Sequence, residues 1–308
     1  MVERKSKYRL FRLEFPYGVH FGKRALEDTD ITFYADTLFS AFCQEAVRQG
    51  TLNRWLELFE KNRLWISDAF PYVKQEYYLP KPIMWIKTER PEGDSVEKKK
   101  YKKLKYIPAK YIKEYFMGEF PIDLGFPEIG QESMRVSAKV RGEEETTPYR
   151  IKIFQFSEGA GLYFIAKGEE DALQFLEELL FAVSYSGIGG KKYAGLGRFE
   201  FMTCKMPDEL ETLLENKGEI HMLISSALPK TEELQKATEH GYFQLIKRSG
   251  FIDSANYSDR QMRKRDLYVF QSGSCFASSF SGQIVDVSDG GKHPVYRYAK
   301  AMFLGVSI

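Results

Sequence analysis

Two stretches near the start of the chain carry clear secondary-structure patterns. Residues 7–15 are rich in Phe and Leu and lead into a turn at residues 16–18, which predicts a β-strand. Behind Asp36, apolar residues recur at helical spacing and form one broad face. This pattern predicts a helix that has Asp36 as its N-cap and ends at Gly50.

Regular patterns return after residue 149. Residues 150–156 and 162–166 predict two strands of a hairpin, and leucines at helical spacing predict a helix over 169–184. Residues 198–203 predict a further strand. The resulting order is β-α-β-β-α-β, which is the order of a ferredoxin-like unit. We therefore predict an α+β fold with an N-terminal ferredoxin-like, RRM-like domain over residues 1–207.

The remaining segments carry weaker patterns. Prolines recur over residues 72–148, and residues 97–105 form a lysine-rich run, which together predict a long, partly mobile insertion. The lysine run indicates a solvated loop, and non-specific attraction of RNA is the alternative. Residues 208–217 indicate a polar connector. Residues 218–308 repeat the earlier pattern weakly and predict a second, degenerate ferredoxin-like domain.

Composition excludes several classes of protein. The 308 residues suggest about two domains, and the 43% hydrophobic content excludes disorder. Lys and Arg number 45 against 43 Asp and Glu, so any nucleic-acid surface must be local. Cys43, Cys204 and Cys275 are too few and too far apart for a disulfide framework or a zinc site. No targeting segment and no apolar run of membrane-spanning length is present in the sequence, which predicts a cytoplasmic protein without a membrane partner.

The most informative segment is a glycine-rich loop at residues 186–197, with the sequence SGIGGKKYAGLG. Backbone N–H groups of such a loop can cradle phosphate oxygens, and an aromatic ring beside them can stack on a base. The loop follows a predicted helix and enters a predicted strand, the reverse of a Rossmann or P-loop motif, which argues against nucleotide hydrolysis. A glycine-rich connector without a ligand is the alternative.

At this loop the sequence resembles the RAMP superfamily of CRISPR RNA-binding proteins, which carry a glycine-rich loop at the same place. Four further segments resemble the subunit of the type III-A (Csm) effector complex that caps the 5′ end of the guide RNA. They are GVHFG at 18–22, YADTLFSA at 34–41, QLIKRSGF at 244–251 and HPVYRY at 293–298. The likeness spans almost the whole chain. The corresponding subunit of the type III-B complex is an alternative, and the aromatic-rich insertion and the C-terminal pattern favour type III-A.

The resemblance implies that the loop holds the repeat-derived 5′ handle of the guide RNA. The matching positions are Gly187, Gly189, Gly190, Lys191, Lys192 and Tyr193. Four residues after the first strand are expected to flank the same RNA: His20, Phe21, Gly22 and Lys23. Core packing is the alternative for His20 and Phe21. In the C-terminal domain Lys247, Arg248 and Arg297 are expected to contact RNA, and ordinary surface positions are the alternative.

The resemblance also implies a β-hairpin thumb that pushes between the guide and target strands. We place it at residues 134–148, where Met134 and Val136 would form an apolar wedge. Arg135 and Arg141 would contact phosphates there.

The resemblance implies a non-catalytic subunit without a cofactor or metal. Its implied partners are the guide-RNA 5′ handle, target RNA near the 5′ end of the guide, the large polymerase-like subunit and the backbone RAMP subunits. The alternative is a RAMP endoribonuclease that processes repeat RNA, for which His20 is the candidate general base near the loop.

Overall fold

The computed structural model describes residues 7–23, 25–86, 95–139, 147–254 and 256–307. Within them the chain forms eighteen strands and seven α-helices. The strands are β1 (Lys7–Glu14), β2 (Phe21–Gly22), β3 (Thr29–Asp30), β4 (Leu64–Ile66), β5 (Phe70–Val73), β6 (Glu76–Pro80), β7 (Tyr106–Pro108), β8 (Gly130–Lys139), β9 (Thr147–Phe156), β10 (Ala160–Gly168), β11 (Glu200–Cys204), β12 (Ile220–Leu223), β13 (Leu245–Arg248), β14 (Leu267–Phe270), β15 (Cys275–Phe276), β16 (Gly282–Asp286), β17 (Tyr296–Lys300) and β18 (Phe303–Val306). The helices are α1 (Ala35–Arg48), α2 (Leu52–Glu60), α3 (Ser95–Lys103), α4 (Ile112–Met117), α5 (Glu170–Ser186), α6 (Asp208–Glu215) and α7 (Thr231–Thr238). The protein is thus a mixed α/β structure with several antiparallel sheets, consistent with the predicted α+β class.

The largest sheet has seven strands, and its longest pairing joins β1 and β10 over seven positions. Its order is β11-β1-β10-β5-β6-β7, and β4 pairs with the end of β10 that β5 leaves free. Leu10 and Phe11 point to opposite faces of β1 and are both fully buried, so the sheet is covered on both sides. Phe11 lies opposite Phe164 of β10, with their ring centroids 5.0 Å apart.

One face of this sheet packs against α1, α2 and α5. Two of these helices, α1 and α5, are the helices that the sequence predicts. The prediction of Asp36 as the N-cap of α1 is wrong, because the helix begins at Ala35 and Tyr34 occupies the cap position. The Asp36 side chain lies instead in the first helical turn, where it binds two arginines.

The predicted hairpin between residues 150–156 and 162–166 is also wrong. Strand β9 pairs along its whole length with β8, whereas β10 pairs with β1, β4 and β5. The base of β9 is held by Val19, whose N–H and carbonyl bond with Phe154 at 2.8 and 2.9 Å. Strands β4 and β5, which pair with the edge of β10 away from β1, follow α2 in the chain. The order β11-β1-β10 with β4 and β5, with α1 and α5 on one face, corresponds to that of a β-α-β-β-α-β unit.

The segment predicted as a partly mobile insertion, residues 72–148, contributes to the sheet and the core. Strands β6 and β7 extend the main sheet, and Ile107, Ile112 and Phe120 are buried in the same cluster as Leu10. Two of the prolines that weaken the sequence pattern stand at the ends of β6 and β7. Proline density therefore marks strand boundaries here rather than the absence of packed structure.

The C-terminal residues form three small sheets, with strand orders β15-β12-β18, β13-β14 and β16-β17. The predicted connector at 208–217 is largely helix α6, which buries Leu210, Leu213 and Leu214. These leucines and the strands β12 and β18 pack on the second face of the main sheet, beside Leu10. The N-terminal and C-terminal parts of the chain therefore share a core. Within the described ranges, no helix is long and apolar enough to cross a membrane.

Candidate nucleic-acid interface

The glycine-rich loop between α5 and β11 is docked on the segment that follows β1. The N–H of Gly190 donates to the carbonyl of His20 at 2.9 Å, and the N–H of Gly197 donates to the carbonyl of Gly18 at 3.0 Å. Within the loop, the N–H of Ile188 donates to the carbonyl of Gly197 at 2.9 Å. The fold thus brings together two segments that the sequence proposes as one RNA-binding surface.

Two glycines of the loop are required by this docking. Gly189 has a φ of +97°, and a Cβ there would lie 2.8 Å from the carbonyl oxygen of His20. A Cβ on Gly190 would lie 2.8 Å from Cδ2 of the His20 ring. Because neither approach leaves room for a side chain, both glycines serve the contact between loop and protein, independently of any phosphate.

His20 and Phe21 lie beneath the surface. His20 is only 3% exposed, and its Nδ1 lies 2.8 Å from the carbonyl oxygen of Lys152. Phe21 packs edge-on against Phe15 and Phe33. These contacts support the core-packing alternative, since neither ring is presented to a base. Of their two neighbours, Gly22 faces the His20 ring, and Lys23 is exposed with its Nζ 3.3 Å from Asp30.

Both lysines of the loop have partners within the protein. The Nζ of Lys191 lies 4.3 Å from the ring centre of Tyr149 on β9, a cation–π contact. The Nζ of Lys192 donates to Oε1 of Gln44 on α1 at 3.0 Å and lies 3.5 Å from the carboxylate of Asp253. Lys192 therefore ties the loop to α1 and to the C-terminal part of the chain.

A cleft of about 370 Å³ opens beside the loop. Its lining residues come from the turn after β1, from the β8–β9 hairpin and from the loop: Pro16, Tyr17, Arg135, Gln155, Ala194, Gly195, Leu196 and Arg198. Arg135 and Arg198 are both exposed, and neither pairs with a carboxylate of any residue that the structure describes. Tyr17, on the turn after β1, is 66% exposed, and Tyr193, on the glycine-rich loop, is 94% exposed. Guanidinium groups and open aromatic rings are the groups that bind phosphates and stack on unpaired bases.

The β8–β9 hairpin contributes to this cleft and includes the predicted thumb. Its two strands pair over ten residues each, from 130 to 139 and from 147 to 156. Met134 and Val136 are exposed, Val136 to 66%, and they lie on the opposite face from Arg135, which lines the cleft. Arg141, the fourth residue predicted for the thumb, lies outside the described residues.

The C-terminal candidates are engaged with acidic side chains. Lys247 on β13 lies with its Nζ 2.7 Å from Asp266. Arg248 and Arg297 both donate to the carboxylate of Asp36, and Arg297 is only 4% exposed. The expected RNA contact of Arg297 is therefore not supported. Its guanidinium is buried and paired with Asp36, so an RNA strand bound at the protein surface would not reach it.

Asp36 is the centre of this ion cluster, which joins α1 to β13 and β17. Nε and Nη2 of Arg248 donate to its carboxylate at 3.0 and 2.8 Å, and Nη1 of Arg297 donates to Oδ2. Burial by itself would raise the pKa of Asp36, but the two guanidinium groups hold this pKa well below its ordinary value. The carboxylate is thus charged, and its role is to anchor two elements that are distant in sequence.

Two residues of the cleft, Tyr17 and Arg198, were not among the sequence predictions. Tyr17 directly precedes Gly18, and Arg198 directly follows Gly197. The hydrogen bond between these glycines brings their neighbours to the same place. The position of Tyr17 and Arg198 next to the two glycine motifs is therefore the feature of the sequence that could have identified them.

Nothing in the described structure resembles a metal centre. Among the described residues, no three or more His, Cys, Asp and Glu side chains are grouped so as to hold a metal ion.

Comparisons with known proteins identify the family. The family model described as the CRISPR Csm4 C-terminal domain matches residues 216–306. The CRISPR system Cms protein Csm4 of Mycobacterium tuberculosis (strain CDC 1551 / Oshkosh) is 37% identical over 302 residues, which cover 97% of each chain. The chain belongs to the Csm4 family. A Csm4 protein of Streptococcus thermophilus is 34% identical over 310 residues, covering 98% of this chain and 99% of that protein. The family that the resemblance implies is confirmed.

Solved structures related to Csm4 share the fold. A chain of the Csm3–Csm4 subcomplex of the type III-A CRISPR-Cas interference complex matches with a TM-score of 0.68 and 19% identity, over 97% of this chain and all of that one. A chain of the Csm1–Csm4 cassette in complex with cA4 matches with a TM-score of 0.59 and 19% identity, over 98% and 99% of the two chains. At this identity the likeness establishes a common fold.

Proposed function

We propose that this Csm4-family chain is the guide-capping subunit of a type III-A CRISPR effector complex, acting in the cytoplasm in antiviral defence. It holds the 5′ handle of the guide RNA on the surface formed by the glycine-rich loop, the cleft and the β8–β9 hairpin. The observation that carries the proposal is the cleft, where two exposed arginines stand beside Tyr17 and the loop, with no carboxylate partner among the described residues.

The chemistry of the cleft suits a single-stranded backbone with unpaired bases. The guanidinium groups of Arg135 and Arg198 bind phosphate oxygens through paired N–H donors, which fixes the register of the strand without selecting its sequence. Tyr17 and Tyr193 offer ring faces on which bases stack. The exposed Met134 and Val136 would enter between bases and separate guide from target RNA near the 5′ end of the guide.

We propose the large polymerase-like subunit and the backbone RAMP subunits as protein partners. The Csm3–Csm4 subcomplex and the Csm1–Csm4 cassette, whose chains share this fold, support that assignment. We also propose that both halves of the chain derive from the ferredoxin-like unit of RAMP proteins. For the first half, the order of β11, β1, β10 and β4 with β5 supports this origin.

The proposed role is non-catalytic. His20, the candidate base of the endoribonuclease alternative, is covered by the glycine-rich loop and bonded to a backbone carbonyl. We expect repeat RNA incubated with the protein in EDTA to remain intact. A discrete cleavage product that persists in EDTA would instead support the endoribonuclease.

The proposal is tested by purifying the tagged protein from cells that carry its whole gene neighbourhood, and by sequencing the RNA that accompanies it. We expect short RNAs that share one repeat-derived 5′ end, together with co-purifying subunits. Heterogeneous RNA, or a protein that purifies alone and without RNA, would contradict the guide-capping role.

A further inference from the structure

The lysine-rich run forms helix α3 and the short segment that leads into β7. Oη of Tyr101 donates to the carbonyl of Phe120 at 3.0 Å, and Leu104, directly after the helix, is buried. Nζ and the backbone N–H of Lys81 donate to the carbonyls of Tyr101 and Lys105 at 2.8 and 2.9 Å. The expected solvated loop is therefore a helix held against the core.

The side of α3 that faces away from the core is basic. Tyr101 and Leu104 mark the inward side, since both contact the core and they stand three positions apart. At about 3.6 residues per turn, the opposite side carries three exposed lysines, which together form the outer face of α3. They are Lys99, Lys102 and Lys103.

The positive charge of this face is not balanced locally. Residues 99–113 contain seven lysines and no acidic residue. Lys100 pairs with Asp123 and Lys110 pairs with Glu76, both at 2.6 Å. By contrast, the three lysines of the outer face form no ion pair with any residue that the structure describes. Because the formal net charge of the whole chain is only +2, this excess is a local feature.

An exposed indole ring belongs to the segment that adjoins α3. Trp85 is 69% exposed, and the N–H of Ile83 fixes its segment by donating to the carbonyl of Gly273 at 2.7 Å. The chain from Lys81 to Trp85 spans at most about 14 Å, and Lys81 is bonded to Tyr101 of the helix. Lysines combined with an open aromatic ring are typical of surfaces that bind single-stranded nucleic acid.

The outer face of α3 is separate from the cleft beside the glycine-rich loop. Helix α3 leads into β7 at one edge of the main sheet, whereas Arg198 of the cleft lies just before β11 at the other edge. The two edges are five strand spacings apart, roughly 24 Å across the sheet. The two surfaces can therefore be altered independently.

We propose that the outer face of α3 is a second RNA-binding surface, which holds the phosphate backbone of single-stranded RNA outside the 5′ handle. Its lysines act as point charges on the backbone and do not select a sequence. Trp85 stacks on a base of the same strand. The exposed indole favours RNA over an acidic protein segment, because base stacking uses the ring and carboxylates do not.

Binding of the purified full chain to a poly-uridine oligonucleotide, followed over a range of salt concentrations, tests this surface. The triple variant Lys99→Gln, Lys102→Gln and Lys103→Gln should reduce the slope of log affinity against log salt by about 2. Affinity at low salt should fall about 10-fold or more. Its Tm should not fall, because these lysines are exposed and glutamine has a similar helix propensity.

A second triple variant controls for the loss of net charge. Lys61→Gln, Lys205→Gln and Lys292→Gln remove three exposed lysines that are each paired with a carboxylate, so the salt slope should stay unchanged. Equal slope reductions in both triple variants would overturn the proposal, and so would an unchanged slope in the α3 variant. An α3 variant that loses binding of poly-glutamate but keeps its RNA slope would assign the face to an acidic protein instead.

Tryptophan fluorescence tests the stacking separately. Trp55 is fully buried and Trp65 is half-buried, so quenching by RNA should come mainly from Trp85 and be lost in Trp85→Phe. Trp85→Ala should lower affinity about 5-fold or more without changing the salt slope, because the ring releases no counterions. RNA binding without quenching would contradict the stacking. Failure at α3 is distinguishable from failure of the guide-capping proposal, which is tested by substitutions in the cleft.

Discussion

Two regions of the molecule use arginine in different ways. In the cleft beside the glycine-rich loop, Arg135 and Arg198 are exposed and have no carboxylate partner among the described residues. In the seam between α1 and the C-terminal hairpins, Arg248 and Arg297 bind the buried Asp36. An arginine held by a buried carboxylate already has its counter-ion within the fold, whereas an unpaired one is available to a phosphate. Ion pairing, rather than the presence of basic residues, therefore distinguishes the two regions.

The largest effect is expected from removing the charge at the centre of the seam. Asp36→Asn leaves two guanidinium groups buried without their carboxylate, which should lower the free energy of unfolding by about 3–5 kcal/mol. Denaturant unfolding of the full chain measures this loss. Asp259→Asn is the matched control, because the Asp259 side chain is 98% exposed and its one ion pair within the described residues is with the exposed Lys292.

The sign of the pH dependence follows from the depressed pKa of Asp36. Its stabilising contribution is fully present above the ordinary carboxyl pKa and is lost as the pH falls towards the lower pKa of the folded state. We therefore expect the difference in free energy of unfolding between the unsubstituted chain and Asp36→Asn to shrink only at acid pH. A difference that stays constant down to the acid unfolding of both proteins would contradict the ion cluster.

A second buried carboxylate of the seam region should behave in the opposite sense. Asp68 accepts hydrogen bonds from the N–H of Ala35 and from the N–H and hydroxyl of Ser226, but no arginine of the described residues binds it. Burial outweighs these bonds and raises the pKa of Asp68 to about 6. The folded state then retains a proton that the unfolded state has released, so stability should fall by on the order of 2 kcal/mol as the pH rises from about 4 to 7.

Asp68→Asn isolates this contribution. The variant resembles the protonated side chain, so its stability should change less over the same pH range when both proteins are followed by denaturant unfolding. Parallel stability curves for the two proteins would show that Asp68 is ionised throughout, and that the two carboxylates of the seam do not differ as described.

The smallest effect distinguishes the two lysines of the glycine-rich loop. The Lys191 ammonium contacts Tyr149 and pairs with no carboxylate of the described residues, so Lys191→Met should weaken RNA binding a few-fold and reduce the slope of log affinity against log salt by about 0.7. Lys192 is paired with Gln44 and Asp253, so Lys192→Met should leave that slope unchanged. Gln44→Ala, which removes the hydrogen-bond partner of Lys192, should likewise leave the salt slope unchanged. Equal slope changes for both lysines would contradict this division of roles.

The parts of the fold that the sequence predicts are those fixed by local patterns. The periodicity of β1, α1 and α5 is contained in the segments themselves, and the structure confirms all three. Strand β9 also bridges to Val19 through Phe154, a contact between positions far apart in the sequence, and no local pattern carries that information. The same limit explains Asp36, because its position suits an N-cap while Arg248, which binds it, lies 212 positions further along the chain.

The candidate site also has parts that the sequence predicts and parts that only the fold reveals. Glycine motifs at 18–22 and 187–197 indicate where two loops meet, because close backbone approach demands glycine. The type of a residue does not determine whether it is exposed. Only the fold shows that His20 is buried and that Tyr17 is exposed. The lining of the cleft by Arg198 follows from the bond between Gly197 and Gly18, a contact between segments far apart in sequence.

The most direct test of the RNA surface measures binding of repeat-derived RNA over a range of salt concentrations. Arg135→Gln combined with Arg198→Gln should lower affinity about 10-fold or more and reduce the salt slope by about 1.4, while thermal unfolding stays unchanged. Lys205→Ala is the control, because Lys205 is exposed near the far end of β11, roughly 20 Å from Arg198, and should bind RNA normally. An unchanged affinity and slope in the double variant would contradict the assignment of the cleft as the guide-binding surface.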